Sequence, residues 1–321
     1  MRFIVYGVGA IGGTIAASLV LAGYEVAGIA RGRMLDAMRE KGLHFRTPLV
    51  DERVRFACVG APDEIAWRDD DVILLTMKSQ DTHDALEALA AAGVDRQAIV
   101  CAQNGVANER AALRYFPNVY GMTVMCPGTY TEPGEVLCHA EPKRGMFDIG
   151  RYPSGRDAVV EEIAAALAKA EFRTEVFDDV MLSKYGKLIE NQGNIVRAAV
   201  GYETDHSAFD KTLRDEARAV LTAAGIKWMD IGGDRRKGVM ELGEIAGTTR
   251  GGDSSSQSLL RGTGSLETDY LNGEIAYIGR QHRVPTPASD FVCRLARRIL
   301  REKLKPGDVT PDEFARGLAG T

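Results

Sequence analysis

The sequence lacks most of the short patterns that announce metal or nucleophile chemistry. Its five cysteines, Cys58, Cys101, Cys126, Cys138 and Cys293, are odd in number and form no CxxC pair. That argues against a disulfide framework and against a zinc site, and reads as small, reduced core residues of a cytosolic protein. The five histidines fall in no HxxxH or HExxH spacing, so metal ligation is not expected. There is no GxSxG elbow, no internal repeat and no low-complexity tract. No apolar run approaches the ~20 residues of a membrane helix, and no long basic block accompanies the net charge of −5. Nucleic acid and anionic membrane surfaces are therefore not expected partners. The chain opens directly on a strand-like run, so no signal peptide and a cytoplasmic location are expected.

What is present begins at once. An apolar run at 3–6 stops at Gly7-Val8-Gly9-Ala10-Ile11-Gly12, and a small-residue, helix-prone run follows at 14–22. Strand, tight glycine turn and helix form the fingerprint of a dinucleotide site. Gly7 permits the sharp turn, Gly9 lets backbone approach a pyrophosphate, and Gly12 lets helix pack near strand. The backbone N–H groups around Ala10 and Ile11 then face the phosphates from the helix N-terminus. The plainer reading is a glycine-rich structural turn.

The second strand, 24–29, ends at Ala30-Arg31-Gly32-Arg33, where an NAD site usually carries Asp or Glu for the ribose 2′-hydroxyl. A guanidinium pairs instead with a 2′-phosphate, which favours NADP, with Arg31 weighted above Arg33. The alternative is that both arginines decorate a surface loop. A near-continuous apolar run at 71–77 predicts a parallel strand buried on both faces. It ends at Lys78-Ser79-Gln80, on the edge where such sheets bind ligands, although a solvated loop lysine accounts for Lys78 equally well. A further strand at 98–102 ends at Gln103-Asn104-Gly105, where Asn104 reads either as a site residue or as half of a turn pair.

The 321 residues suffice for two cores. Alternating strands and helices run to a closing strand at 172–177, after which the pattern is helical. The expected fold class is α/β: an N-terminal Rossmann-type doubly wound sheet over 1–177 and an all-α domain over 178–321. Helices are predicted at 181–200, 213–224, 254–260, 266–282 and 288–303, with a Gly- and charge-rich connection at 232–252. Within 181–200, Lys187, Asn191 and Asn194 stand at i, i+4 and i+7, on one side of a continuous helix. A solvated polar face explains them without function. Gly193 points the other way, because a glycine costs about 1 kcal/mol in a helix interior and suggests that something approaches closely. Taken alone, Ser255 reads as part of a helix cap and Glu267 as an acid favoured by a helix start.

In order, GVGAIGG at 7–13, Arg31, MKSQDT at 77–82, QNGVANE at 103–109, KLIENQGN at 187–194, ETDYLNGEI at 267–275 and VPTP at 284–287 make the chain resemble the ketopantoate reductase (2-dehydropantoate 2-reductase) family over nearly its whole length. The resemblance implies NADPH-dependent reduction of a 2-keto acid, without metal, in a cleft between a Rossmann domain and a helical domain, as a step of pantothenate biosynthesis. By position, Lys187 resembles the catalytic lysine and Glu267 the acid of the family's Glu-Ile-Asp-like motif. Asn104 resembles the asparagine beside nicotinamide and substrate, Asn191 and Ser255 resemble substrate-binding positions, and Lys78 resembles a lysine at the cofactor edge. Asn194 is carried with the substrate set, although the family's second asparagine falls at Ile195. Ser255-Ser256-Gln257-Ser258-Leu259 also departs from the family's usual run. These changes bear on which keto acid is reduced, and a related 2-hydroxyacid or opine-type dehydrogenase or a non-catalytic NADP sensor are the alternatives. A homodimer is compatible with the sequence, which does not fix the oligomeric state.

Overall fold

The computed structural model describes residues 1–130, 132–235, 237–248, 255–256, 259 and 265–320. It divides into two compact units, Met1–Lys184 with Ile231–Arg250, and Tyr185–Asp230 with Gly251–Thr321. The sequence reading kept all of 178–321 together. Hydrogen bonding shows why part of 231–250 groups with the first unit instead. Met240–Leu242 pairs antiparallel with Ala140–Pro142, and Arg235 forks onto the buried carboxylate of Asp148 at 2.8 and 2.9 Å.

The strands of the first unit are β1 (Arg2–Tyr6), β2 (Glu25–Ile29), β3 (Leu43–Arg46), β4 (Asp51–Val54), β5 (Ala57–Val59), β6 (Asp71–Leu75) and β7 (Ala98–Cys101). They continue as β8 (Val119–Met125), β9 (Gly128–Tyr130), β10 (Glu135–Cys138), β11 (Ala140–Pro142), β12 (Gly145–Arg151), β13 (Phe172–Val176) and β14 (Met240–Leu242). Its helices are α1 (Ala10–Leu21), α2 (Gly32–Lys41), α3 (Thr82–Ala91), α4 (Asn108–Ala112) and α5 (Ala158–Lys169). One sheet of eight strands has the order β13-β12-β8-β7-β6-β1-β2-β5. From β8 to β5 every neighbour is parallel; β12 then runs antiparallel to β8. The six parallel strands have the order of a dinucleotide-binding doubly wound sheet, whose topological switch lies between β1 and β6. β1 and β6 are buried throughout: residues 3–6 and 72–75 are apolar, and Arg2 and Asp71, which open the two strands, are buried as an ion pair. Residues 135–151 are divided among β10, β11 and β12, and β10 joins a separate four-stranded sheet, β4-β3-β10-β9.

Every described element of the second unit is helical. α6 (Val180–Asn191) starts among residues of the first unit and ends in the second; α7 (Asn194–Val200), α8 (Ser207–Ala223), α9 (Thr268–His282), α10 (Pro287–Glu302) and α11 (Pro311–Ala319) follow. Their core gathers Ile195, Val196, Leu213, Val292, Leu295 and Phe314. The Glu216 carboxylate accepts from the backbone N–H groups of Ala288 and Ser289 at 2.9 and 2.8 Å, satisfying two donors that the start of α10 would leave unbonded. The single helix expected over 181–200 is in fact two, interrupted at Gln192-Gly193. The helix expected over 254–260 falls largely outside the described residues; Ser255, Ser256 and Leu259 are helical. Part of the 232–252 connection, at 236 and 249–252, lies outside them too. None of the described helices is long and apolar enough to cross a membrane.

Candidate active site

In the first unit the carboxyl ends of β1, β6 and β7 meet at the switch point. α1 begins at Ala10, four residues earlier than its apolar run suggests, so Gly12 and Gly13 lie inside the helix. The three turn glycines differ in their surroundings. At Gly7, with φ +107°, a Cβ would sit 2.9 Å from the Met77 nitrogen. At Gly12 it would sit 2.2 Å from the Gly7 carbonyl and 2.4 Å from Thr76 Oγ1. At Gly9 it would meet nothing within 4 Å. Gly7 and Gly12 are thus glycines for internal reasons, whereas the space over Gly9 is open. No side chain caps α1 and no acid lies in its first turn, so the N–H groups at Ala10 and Ile11 have the orientation and charge to take an anion. An open cradle at an uncapped N-terminus fits a dinucleotide pyrophosphate.

Arg31 follows β2 and precedes α2, and its guanidinium lies against the Tyr6 phenol at the end of β1. Burial pushes that phenol's pKa up, and the Arg31 charge opposes the push without cancelling it. Thr76 Oγ1 donates toward Tyr6 O and Gly7 O at 3.0 and 2.8 Å, fastening the end of β6 to the glycine turn. Lys78, half-buried, opens the short turn that leads into α3.

A polar network joins the segment after β6 to the segment after β7. Gln103 Nε2 donates to Met77 O and Thr82 Oγ1 at 3.0 and 2.8 Å. Thr82 Oγ1 donates to Asn108 Oδ1 at 2.8 Å, and Asn108 Nδ2 donates to Asn104 O at 3.0 Å and Ser79 Oγ at 3.2 Å. MKSQDT and QNGVANE are therefore two sides of one hydrogen-bonded loop pair, with Asn104 on its half-buried edge. The Gln80 amide, just beyond Lys78, is buried and has no hydrogen-bond partner among the described residues.

Lys187 and Asn191 stand one turn apart on α6 in the second unit, as their i, i+4 spacing requires. Lys187 is half-buried and Asn191 buried, and Asn191 Nδ2 has no hydrogen-bond partner among the described residues. Asn194 does not continue this stripe. The interruption at Gln192-Gly193 places it at the start of α7, so the i, i+7 argument fails for it. The close approach inferred at Gly193 comes from within the protein. A Cβ there would meet the Asp210 carboxylate at 2.4–2.7 Å. Asp210 itself accepts from Arg197 Nη2 at 2.7 Å. Glu267 is the N-cap residue of α9, and Ser255 is buried.

One exposed group on α3, His83, Asp84 and Glu87, brings three potential ligand atoms within 4.8 Å of one another. The sequence reading did not single it out, because a His-Asp-Glu turn has no distinctive spacing.

Residues 3–154 match the family described as Ketopantoate reductase PanE/ApbA, and residues 194–300 match its C-terminal part. The chain belongs to the ketopantoate reductase family. Membership makes it an oxidoreductase of the pyridine-nucleotide type. A ketopantoate reductase family member from Ralstonia eutropha JMP134 shares 28% identity and a TM-score of 0.77, over 94% of this chain and 99% of that one. The 2-dehydropantoate 2-reductase of Archaeoglobus fulgidus is 26% identical over 93% of this chain and 97% of its own length. A D-mandelate dehydrogenase solved with NADH and anilino(oxo)acetate gives a TM-score of 0.78 at 20% identity, over 94% of this chain and 99% of that one, a likeness of fold alone.

Within this ketopantoate reductase family member, sequence reasoning passed over buried, paired polar residues in or near the motif stretches: Asn108, Thr82, Lys184, Glu109, Gln192 and Asn272. Buried amides and a buried lysine carry no periodic signal. The one available hint was their position inside, or one turn from, the motif stretches.

Proposed function

We propose that the chain catalyses NADPH-dependent reduction of 2-dehydropantoate (ketopantoate) to pantoate, a cytoplasmic step of pantothenate biosynthesis. The observation that carries this reading is the match of both family halves in one chain, in order. Gly7, Gly9, Ala10, Ile11 and Gly12 would hold the pyrophosphate, with Arg31 at the 2′-phosphate and Lys78 and Asn104 along the same edge. Arg31 in place of an acid supports NADP over NAD.

When bound, the reduced nicotinamide supplies a hydride to the carbonyl carbon. Negative charge then grows on the carbonyl oxygen. The Lys187 ammonium stabilises that charge and donates the proton that completes the hydroxyl. Glu267 keeps the ammonium charged and oriented. Asn191, whose buried amide has an unused donor, and Ser255 hydrogen-bond the substrate, with Asn194 at the margin of that set. The other partner is thus a small 2-keto acid; a homodimer is compatible with the reading. A second reading, a related 2-hydroxyacid dehydrogenase, is favoured by Ile195, which stands where the family carries its second asparagine.

Lys187→Ala tests the proposal in an NADPH-oxidation assay with ketopantoate. The expected fall in kcat is on the order of 10²–10⁴, as for loss of a general acid, with NADPH still bound. Unchanged turnover would overturn the role of Lys187.

A further inference from the structure

The two helices that carry the candidate proton-transfer residues of the second unit are fastened by a pair of buried amides. Gln192 is 0% exposed and Asn272 1%. Asn272 Nδ2 donates to Gln192 O at 3.1 Å and to Gln192 Oε1 at 2.9 Å. Gln192 Nε2 donates to Leu188 O at 2.9 Å and to Leu271 O at 3.3 Å. Gln192 directly follows the last residue of α6, where a helix leaves carbonyls without partners, so Asn272 closes that end from α9. The Asp210 carboxylate fills the space beside Gly193 in the next position. The end of α6 is thereby bonded from α9, and Asp210 of α8 packs closely beside the next residue.

An apolar pair would join two helices without the desolvation cost of two amides. What the amides add is register, because the three directional bonds that cross between the helices tolerate little sliding. The register matters for what lies nearby. Lys187 is five residues before Gln192 and Asn191 is next to it; Glu267 is five residues before Asn272, at the cap of α9.

We infer that Gln192 and Asn272 are positioning residues, whose amide clamp sets Lys187 and Asn191 against Glu267 and so fixes where the proton is held for the reduced oxygen. The inference rests on the reductase reading above. The clamp acts through Lys187 and Glu267 and touches no reacting atom.

Asn272→Asp tests it, because the shape is kept while the carboxylate donates nothing to Gln192. The expected result is a fall in kcat of about 10- to 100-fold, the scale of a small misplacement of catalytic groups, with KM for NADPH changed less than about threefold. Asn272→Ser, which keeps one donor, should recover part of the loss. Gln192→Met, similar in volume, removes the side-chain half of the clamp and leaves the Asn272 bond to the residue-192 carbonyl; it serves as the independent variant should Asn272→Asp fail to fold, and is expected to show the same split. A kcat within about twofold of wild type in a folded clamp variant would overturn the inference, even if its melting temperature fell. Wild-type enzyme that turns over no 2-keto acid would instead remove the reductase reading itself.

Discussion

Lys184 and Glu109 form an ion pair closed to solvent on both sides, with side-chain exposures of 2% and 0%. The ammonium also donates to the Gln103 carbonyl at 3.0 Å, immediately before Asn104. A charge this deep is tolerated only while its partner is present. Glu109→Leu should therefore cost about 3–5 kcal/mol of stability by leaving Lys184 unpaired. The double variant Lys184→Met/Glu109→Leu should regain most of it. Urea unfolding of the single and double variants checks this, and losses that simply add would contradict it.

The three turn glycines separate packing from binding. Gly12→Ala drives a methyl into the Gly7 carbonyl and Thr76, and should destabilise the first unit by about 1–3 kcal/mol or more. Gly9→Ala meets no protein atom and should leave stability within about 0.5 kcal/mol. It should nevertheless weaken NADPH binding, because the methyl would occupy the proposed approach to the pyrophosphate. Thermal melts beside NADPH titrations decide the matter; a Gly9→Ala protein that binds as tightly as wild type would place the pyrophosphate elsewhere.

Arg31 should discriminate between cofactors. Arg31→Ala is expected to weaken NADPH by about 10- to 100-fold, the value of a charge-assisted hydrogen bond, and NADH far less. Equal losses for the two would leave Arg31 with no role at the 2′-phosphate.

Asp157 gives the first unit a pH dependence. Burial raises its pKa, but the Val160 N–H, the Tyr120 hydroxyl and the Arg151 guanidinium together outweigh burial and hold the carboxyl below its ordinary value. A depressed folded pKa means that the stabilisation is complete above the unfolded value, about 3.9, and is lost as pH falls through the lower folded value. Asp157 also caps α5, accepting from Val160 N at 2.9 Å. Asp157→Ala should therefore cost about 1 kcal/mol or more at neutral pH, a cost that shrinks in acid, below the unfolded value of about 3.9. Urea midpoints at the two pH values measure the difference; a penalty independent of pH would contradict the assignment.

The sheet was legible because β1, β6 and β7 are short apolar runs that end in Gly or polar residues, the pattern of strands buried on both faces. The start of α1 was less so, since Gly12 and Gly13 look like turn residues until the contacts of Gly12 with Gly7 and Thr76 are seen. The interruption of α6 and α7 was hidden for a related reason. Asp210 causes the close approach to Gly193, and its partner Arg197 lies 13 residues away in sequence. α11 was overlooked although its start was readable, with Thr310 accepting from Glu313 N and Pro311 at the first helical position. Of the site, the motif stretches were visible as motifs, while the Asn108 network and the Gln192–Asn272 clamp are long-range pairings that a linear reading does not reveal.

Ketopantoate reduction stands or falls on the steady-state rate of NADPH consumption across a panel of 2-keto acids. The highest kcat/KM is expected for ketopantoate, and that for NADPH at least about tenfold above NADH, as follows from a guanidinium in place of the ribose-binding acid. Turnover of another 2-keto acid with none of ketopantoate would contradict it.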